Sequence, residues 1–420
     1  MAALKKIECL SPTYVKKFRC IGGACIDSCC YGWTVTIDKK TYKKYKAVTD
    51  PDFALFLKKY IKELPNDKKK PNNFAKIDFD PTQDCPFMNE KGLCDIQLKM
   101  GTEALSITCN TYPRTRYMID GVMQKALSMS CIEAAKLALL NPDGMDFSID
   151  TDEYNINYDI AGVYYKIDTD NVKKEYAYVR YVKELRAFCV DTLQNRECDF
   201  EDRLIIIGLL CQKLDGCIAE DRVGDIPGVI ASYASNMKIG AFTEGFSGLP
   251  KIDKARYGMF HTFLMHARSG SRLFKSMYEK ILTGFKYDPE VPDQFLELEA
   301  LLTDGITRIY QPFMRDYGYI IENYFVNYVF MQKFPFVRVD ESMVNNFMIL
   351  AIDYLSFKFF LIGYALGNND KLTPDDAVQF ISALARKLEH SPDFINTVLE
   401  RLKADRLNSV PLMASLIKEV

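Results

Sequence analysis

Thirteen cysteines stand in this 420-residue chain, and nine of them fall within the first 131 positions. The densest stretch, CIGGACIDSCCYGW (20–33), sets Cys20, Cys25, Cys29 and Cys30 within eleven positions. Adjacent Cys29 and Cys30 must point in different directions, so packing into one core is a poor account of both. Gly22, Gly23 and Gly32 allow the tight wrap that converging sulfurs require. Cys85 and Cys94 follow in DCPFMNEKGLCDIQ (84–97), Cys109 in LSITCNTYPR (105–114) and Cys131 in LSMSCIEAAKL (127–137). Thiolates are the ligands of iron–sulfur clusters and of structural zinc. Four of these eight would hold one [4Fe–4S] cluster or one tetrahedral Zn²⁺; all eight would hold two such centres. Cys9, Cys189, Cys198, Cys211 and Cys217 read as small apolar packing residues.

The elements that must position these thiols are short. Asn89–Gly92 reads as a turn that brings Cys85 and Cys94 to the same side of a small hairpin. Cys109 starts a turn that Pro113 completes. Ser130 and Cys131 before Glu133 read as a helix start, where thiol pKa values fall. Val35 and Ile37 suggest a short strand or turn before a helix containing Tyr42 and Tyr45, with Asp38 as its cap rather than a base. Residues 52–64 have helical periodicity.

Residues 140–154 (LNPDGMDFSIDTDEY) are rich in turn formers and acids, and a domain boundary is placed there. The fold class expected is mainly α: a Cys-rich metal-binding module with short hairpins over 1–140, then a large all-α domain over 150–420. Helices are expected at 171–195, 201–219, 226–238, 253–283, 294–332, 342–366, 374–388, 391–403 and 410–419. The 294–332 stretch must break or kink near Pro312. Thr373 is the expected N-cap of the helix that Pro374 opens. Within 317–332, Ile321, Tyr324, Phe325, Tyr328 and Val329 form one apolar face, interrupted by Glu322, Asn323 and Asn327. That helix is a core element or the wall of a ligand pocket.

Composition excludes several classes. Hydrophobic residues make up 48%, charged residues 26%, and the net charge is -2, which gives no pull toward nucleic acid or membrane. The N-terminus has no apolar signal region, and a cytoplasmic location with free thiols is expected. Residues 347–363 are apolar but carry Asp353 and Lys358, and read as a buried helix rather than a span. No Walker, HExxH or GxSxG pattern occurs. His261, His266 and His390 read as ordinary structural or surface residues. The cysteine spacing matches neither a double-CxxC zinc ribbon nor the CxxxCxxC of radical S-adenosylmethionine enzymes.

The blocks FRCIGGACIDSCCYGWTVTID, CPFMNEKGLCDIQ, LSITCNTYPR and LSMSCIEAAKL resemble the signature blocks of the flagellin lysine-N-methylase family (FliB). The first three also resemble zinc- or iron-chelating Cys-rich domains, and IIENYFVNYVFMQKFPF resembles a helix of the methylase family. Lys125, Ala126 and Ile132 stand where the family pattern carries an acidic residue and a proline. The resemblance implies methyl transfer from S-adenosylmethionine to lysine side chains of flagellin, with an iron–sulfur cluster held by the cysteines. Such a reaction needs the lysine desolvated or placed beside a base. Tyr112 is the candidate to orient the amine and Arg114 to bind a carboxylate of the cofactor or substrate; the alternative is a plain proline turn. Trp33 shields the metal or stacks on the cofactor, and Glu322 and Asn323 are candidate cofactor-binding residues on the pocket-wall helix. The competing class is a non-catalytic zinc- or iron-binding sensor, or a structural metal site stapling a helical protein.

Overall fold

A computed structural model describes residues 4–31, 35–80, 83–155, 165–238, 240–242, 246, 248–267, 270–288, 290–291, 294–390 and 392–418. The chain is mainly α. Its strands are β1 (Leu4–Pro12), β2 (Thr36–Ile37), β3 (Ile61–Glu63), β4 (Ala75–Ile77), β5 (Arg114–Ile119), β6 (Val122–Leu127), β7 (Phe147–Asn155) and β8 (Lys166–Ile167). Five form one sheet in the order β7-β1-β6-β5-β8, and β2-β4-β3 form a second. Asp120 and Gly121, both at positive φ, close the β5–β6 hairpin, the two-residue turn that suits Asp-Gly.

The first helices are α1 (Lys39–Lys46), α2 (Pro51–Tyr60), α3 (Asp95–Met100), α4 (Ile107–Thr111) and α5 (Ile132–Leu139). Asp38 caps α1 as expected, its carboxylate accepting from the Thr41 N–H at 2.9 Å. The helix expected over 52–64 ends at Tyr60. The chain then pairs Ile61 with Ile77, because both side chains are buried in the core that Val35, Ile37, Phe53, Leu57 and Phe87 build under the small sheet.

The remaining helices are α6 (Val182–Leu193), α7 (Phe200–Ala219), α8 (Ile226–Lys238), α9 (Asp253–His266), α10 (Arg272–Gly284), α11 (Phe295–Gly305), α12 (Gln311–Tyr317), α13 (Tyr319–Met331), α14 (Met343–Leu366), α15 (Pro374–His390), α16 (Pro392–Ala404) and α17 (Val410–Lys418). α14 is long and apolar enough to cross a membrane, yet it is buried inside the protein, as the apolar run at 347–363 suggested. It meets α10 backbone to backbone: a Cβ on Gly284 would lie 2.2 Å from the Gly363 carbonyl oxygen. Thr373 and Asp376 cap α15 reciprocally, through Thr373 N–H to Asp376 Oδ2 and Asp376 N–H to Thr373 Oγ1, both 3.1 Å.

Four sequence expectations need correction. Residues beyond 140 are not all helix: Phe147–Asn155 is a strand, paired with β1 from Pro12↔Phe147 to Leu4↔Asn155. Its acids are held by lysines, Asp150 by Lys16 just past β1 at 2.6 Å and Asp152 by Lys125 of β6. The 171–195 helix starts as a tight 3-10 stretch, Lys174–Tyr181, before α6. The 253–283 helix is two helices, because Ser271 caps a new start by accepting from the Phe274 N–H at 3.2 Å. The 294–332 stretch breaks twice, at a π turn over Ile306–Tyr310 ahead of Pro312 and again at Gly318.

One large core unites the two parts of the chain. Tyr14, Phe18, Tyr117, Leu127, Met129 and the apolar face of α5 pack into the same cluster as α6, α7, α13, α14 and α15. The loops that carry cysteines therefore lie between this core and the small one under β2-β4-β3.

Candidate functional site

The cysteine loop is anchored at both ends. Upstream, Tyr14 is buried; its hydroxyl donates to Asn327 Oδ1 at 2.6 Å and accepts from the Leu127 N–H at 3.2 Å. Downstream, the Cys30 carbonyl accepts from the Cys85 N–H at 2.7 Å. Between them the loop lies on the Asn89–Gly92 turn. A Cβ on Gly23 would sit 2.1 Å from the Lys91 carbonyl oxygen, so only glycine permits this approach. The turn itself is fixed by Asn89 Oδ1, which accepts from the N–H groups of Lys91 and Leu93 at 3.0 and 3.1 Å. Cys94 immediately precedes α3, Cys131 immediately precedes α5, and Cys109 lies in α4, its N–H donating to the capping Ser106 Oγ at 3.2 Å.

This framework divides the eight thiols. Cys29, Cys30, Cys85, Cys94 and Cys109 line one cavity of about 40 Å³, walled by Val35, Ile37 and Phe87. Cys20, Cys25 and Cys131 lie outside it and near one another; burial first, and then the neighbouring thiols, raise the pKa values of Cys25 and Cys131. Burial pushes Cys85 up to about 12. Cys30 moves the other way, to about 7, because the Cys29 thiol and Ser28 donate to its sulfur. Among the described residues no three His, Cys, Asp or Glu side chains already stand in a metal-binding arrangement. The donor set around the cavity is nonetheless all sulfur, the set that iron–sulfur clusters and structural zinc take.

Beside the thiols is a polar corner that joins the loop to α15. Arg386 donates to the carbonyls of Asp27, Ser28 and Ser130 at 3.1, 3.2 and 3.4 Å and lies 3.4 Å from the Asp27 carboxylate. Ser130 Oγ is the hub. It lies 3.1 Å from the Tyr112 hydroxyl and 2.9 Å from His390 Nε2, and it hydrogen-bonds Ser128 Oγ. Ser128 in turn donates to Glu389. Burial pushes the Glu389 carboxyl up to about 7 and the Tyr112 phenol well up.

The predicted residues separate on this geometry. Tyr112 is in the corner. Arg114 is on the sheet, its guanidinium 5.1 Å from the Phe18 ring, at a second cavity of about 320 Å³ that Arg19 also lines. Among the described residues neither arginine has a carboxylate partner. Glu322 and Asn323 are on the buried face of α13, away from the thiols. Glu322 is clamped by Arg203 at 2.8 Å and Arg196 at 2.7 Å, at the edge of a cavity of about 750 Å³ that none of the eight thiols lines. Asn323 Nδ2 donates to the Asn141 carbonyl at 2.8 Å and so ties down the end of α5. Trp33 lies outside the described residues. Sequence reasoning missed Arg386, Glu389, Ser128 and Ser130, and set His390 aside. The available signal was the i, i+3, i+4 spacing of Arg386, Glu389 and His390, three polar residues on one face at the end of an apolar helix.

A family model described as the FliB lysine N-methylase C-terminal domain matches residues 186–416. The lysine-N-methylases of Salmonella typhimurium and Salmonella choleraesuis are each 35% identical over 146 residues, 34% of this chain and 36% of theirs. The flagellar biosynthetic protein FliU of Salmonella muenchen is 35% identical over 143 residues, 34% of this chain and 83% of that protein. The matched region thus spans about a third of the two lysine-N-methylases. No solved structure matches significantly. Residues 186–416 are more than half of the 420 and include the Arg386–Glu389–His390 face of the corner, and on that match the chain belongs to the FliB lysine N-methylase family.

Proposed function

We propose that this chain is a cytoplasmic protein-lysine N-methyltransferase that acts on flagellin, takes its methyl group from S-adenosylmethionine and carries a cysteine-bound [4Fe–4S] cluster. The observation that carries the reading is the placing of an all-sulfur cavity beside a hydrogen-bonded corner built from the family-matched helix α15. Cys29, Cys30, Cys85, Cys94 and Cys109 are the pool that would hold the cluster, with Cys20, Cys25 and Cys131 as a second group. A bound cluster supplies one-electron chemistry and, with an open iron, a Lewis acid.

The chain's own residues supply the rest. A lysine must lose a proton before its nitrogen can accept a methyl group. Glu389, Ser128, Ser130 and Tyr112 form a continuous hydrogen-bonded path along which that proton can leave. Arg19 and Arg114, without carboxylate partners among the described residues, suit the carboxylate of the donor's amino-acid end. The apolar wall of Val35, Ile37 and Phe87 keeps water from the sulfurs.

A second reading, a structural zinc site in a non-catalytic protein, is favoured by one observation: the sulfur-lined cavity is only about 40 Å³, the scale of one ion with its ligands. Anaerobic purification with iron, sulfide and zinc analysis, S-adenosylmethionine titration and mass spectrometry of treated flagellin separates the two. Iron and sulfide with new methyl-lysine supports the methyltransferase. Zinc, no donor binding and unmodified flagellin overturns it.

A further inference from the structure

Asp353 is a buried carboxyl without a counter-charge among the described residues. It lies in the middle of α14 and is 2% exposed. Its Oδ1 is sealed from solvent without a hydrogen-bond partner, and no salt bridge reaches it among the described residues. Leaving a carboxyl like this in a protein interior is costly, and the usual remedies are an ion pair or full hydrogen bonding. Neither is present. A second carboxyl, Glu389, shares the site; its Oε1 is likewise sealed and unpartnered, while its other oxygen accepts from Ser128. The nearby Tyr324 hydroxyl is also without a partner. Burial raises both carboxyl pKa values, and repulsion from Glu389 raises that of Asp353 further.

These two carboxyls face a cavity of about 150 Å³. Its other walls include Val337, Ile349, Leu388 and Ile395, with Tyr328 of α13 and Gln332 just past that helix. Among the described residues the one cation lining it is Arg338, which turns to Asn396 Oδ1 at 2.9 Å and pairs with neither acid. The cavity therefore has an acidic end, an apolar barrel and, among the described residues, no cation paired with either acid. At about 30 Å³ per water it has room for about five heavy atoms in a row, the size of an aminobutyl group.

We infer that the Asp353–Glu389 cavity is a binding site for a primary alkylammonium, the end of a lysine side chain. Its methylenes lie along the aliphatic walls, and its ammonium replaces the missing partner of the two carboxyls. The site rests on the lysine-methyltransferase reading for its physiological ligand, and it gives that reading its acceptor pocket. Glu389 then belongs both to the pocket and, through Ser128 and Ser130, to the path ending at Tyr112 beside Cys131.

The test titrates n-butylammonium chloride into the anaerobically purified full chain by calorimetry, with n-butanol as the uncharged control. Saturable binding of butylammonium but not butanol is expected. Asp353→Asn should weaken it at least about tenfold, while urea unfolding shows a fold as stable as the parent or more so, since an uncompensated acid has been removed. Glu389→Gln is the second variant and should weaken binding in the same sense. Absence of saturable binding, or binding by both variants as tight as the parent's, overturns the site. Flagellin methylation is measured on the same samples. Asp353-dependent butylammonium binding without methylation leaves the site standing and removes the methyltransferase reading. Methylation with an unchanged KM for flagellin in Asp353→Asn removes the site and leaves the enzyme.

Discussion

Arg386 stands 3.4 Å from the carboxylate of Asp27, and it is the residue that fastens the cysteine loop to the helical core. Both partners are largely buried, at 12% and 6% side-chain exposure. The same guanidinium also donates to three loop carbonyls. Arg386→Met removes all of these and leaves Asp27 buried without its cation. Breaking a buried pair from one side costs about 3–5 kcal/mol. Urea unfolding should show a loss on that scale, and the metal content of the purified variant should fall with it. Arg386→Lys should restore only part, because a point charge cannot reproduce the planar fork.

Glu322 offers a test of a different kind. It was a candidate cofactor ligand by sequence, yet its carboxylate is occupied by Arg196 and Arg203, and Arg203 is 8% exposed. Glu322→Gln should destabilise the fold by about 3 kcal/mol, because it leaves a buried guanidinium without its counter-charge. Titration with S-adenosylhomocysteine should give the same affinity as the parent. A weakened affinity in a well-folded variant would instead place the donor in the cavity of about 750 Å³ that Glu322 borders.

What the sequence disclosed depended on how far each residue's partner lies along the chain. The caps at Asp38 and Thr373 were legible because a cap and its acceptor are three residues apart. The grouping of cysteines into blocks was legible too, since Gly23 and the Asn89–Gly92 turn announce tight loops. Phe147–Asn155 was not recognised as a strand. Its acids look like linker until β1, some 140 residues earlier, supplies a pairing edge, and Lys16, four residues past that strand, a counter-charge. His390 was set aside for the same reason, because its partner Ser130 is 260 positions away. Asp353 and Lys358 argued against a membrane span, but nothing local shows that Asp353 faces Glu389 across a cavity.

The division of the thiols predicts unequal effects of single substitutions. Cys85 lines the sulfur-walled cavity and Cys20 does not. Cys85→Ser should remove the metal held there and loosen the small core around Phe87, whereas Cys20→Ser should leave that metal in place. Iron, zinc and sulfide per chain after anaerobic purification decide the matter. Equal loss in both variants would mean that the eight cysteines serve one centre.

Glu389 makes the stability of the fold depend on pH. Burial raises its carboxyl from the usual 4.5 to about 7 in the folded protein. Between those values the folded chain holds a proton that the unfolded chain has released. Stability then falls as pH rises, at up to about 1.4 kcal/mol per pH unit, and the fall ends above pH 7. Asp353, also raised, acts with the same sign. Glu389→Gln cannot titrate, and it also relieves the repulsion that helps raise Asp353. Parent and variant should therefore have similar urea midpoints near pH 4, and the variant should be the more stable above pH 7, by up to about 3 kcal/mol. Parallel stability curves across that range would mean that Glu389 is solvated or already paired in the folded chain, and the acidic end of the cavity would lose one of its two carboxyls.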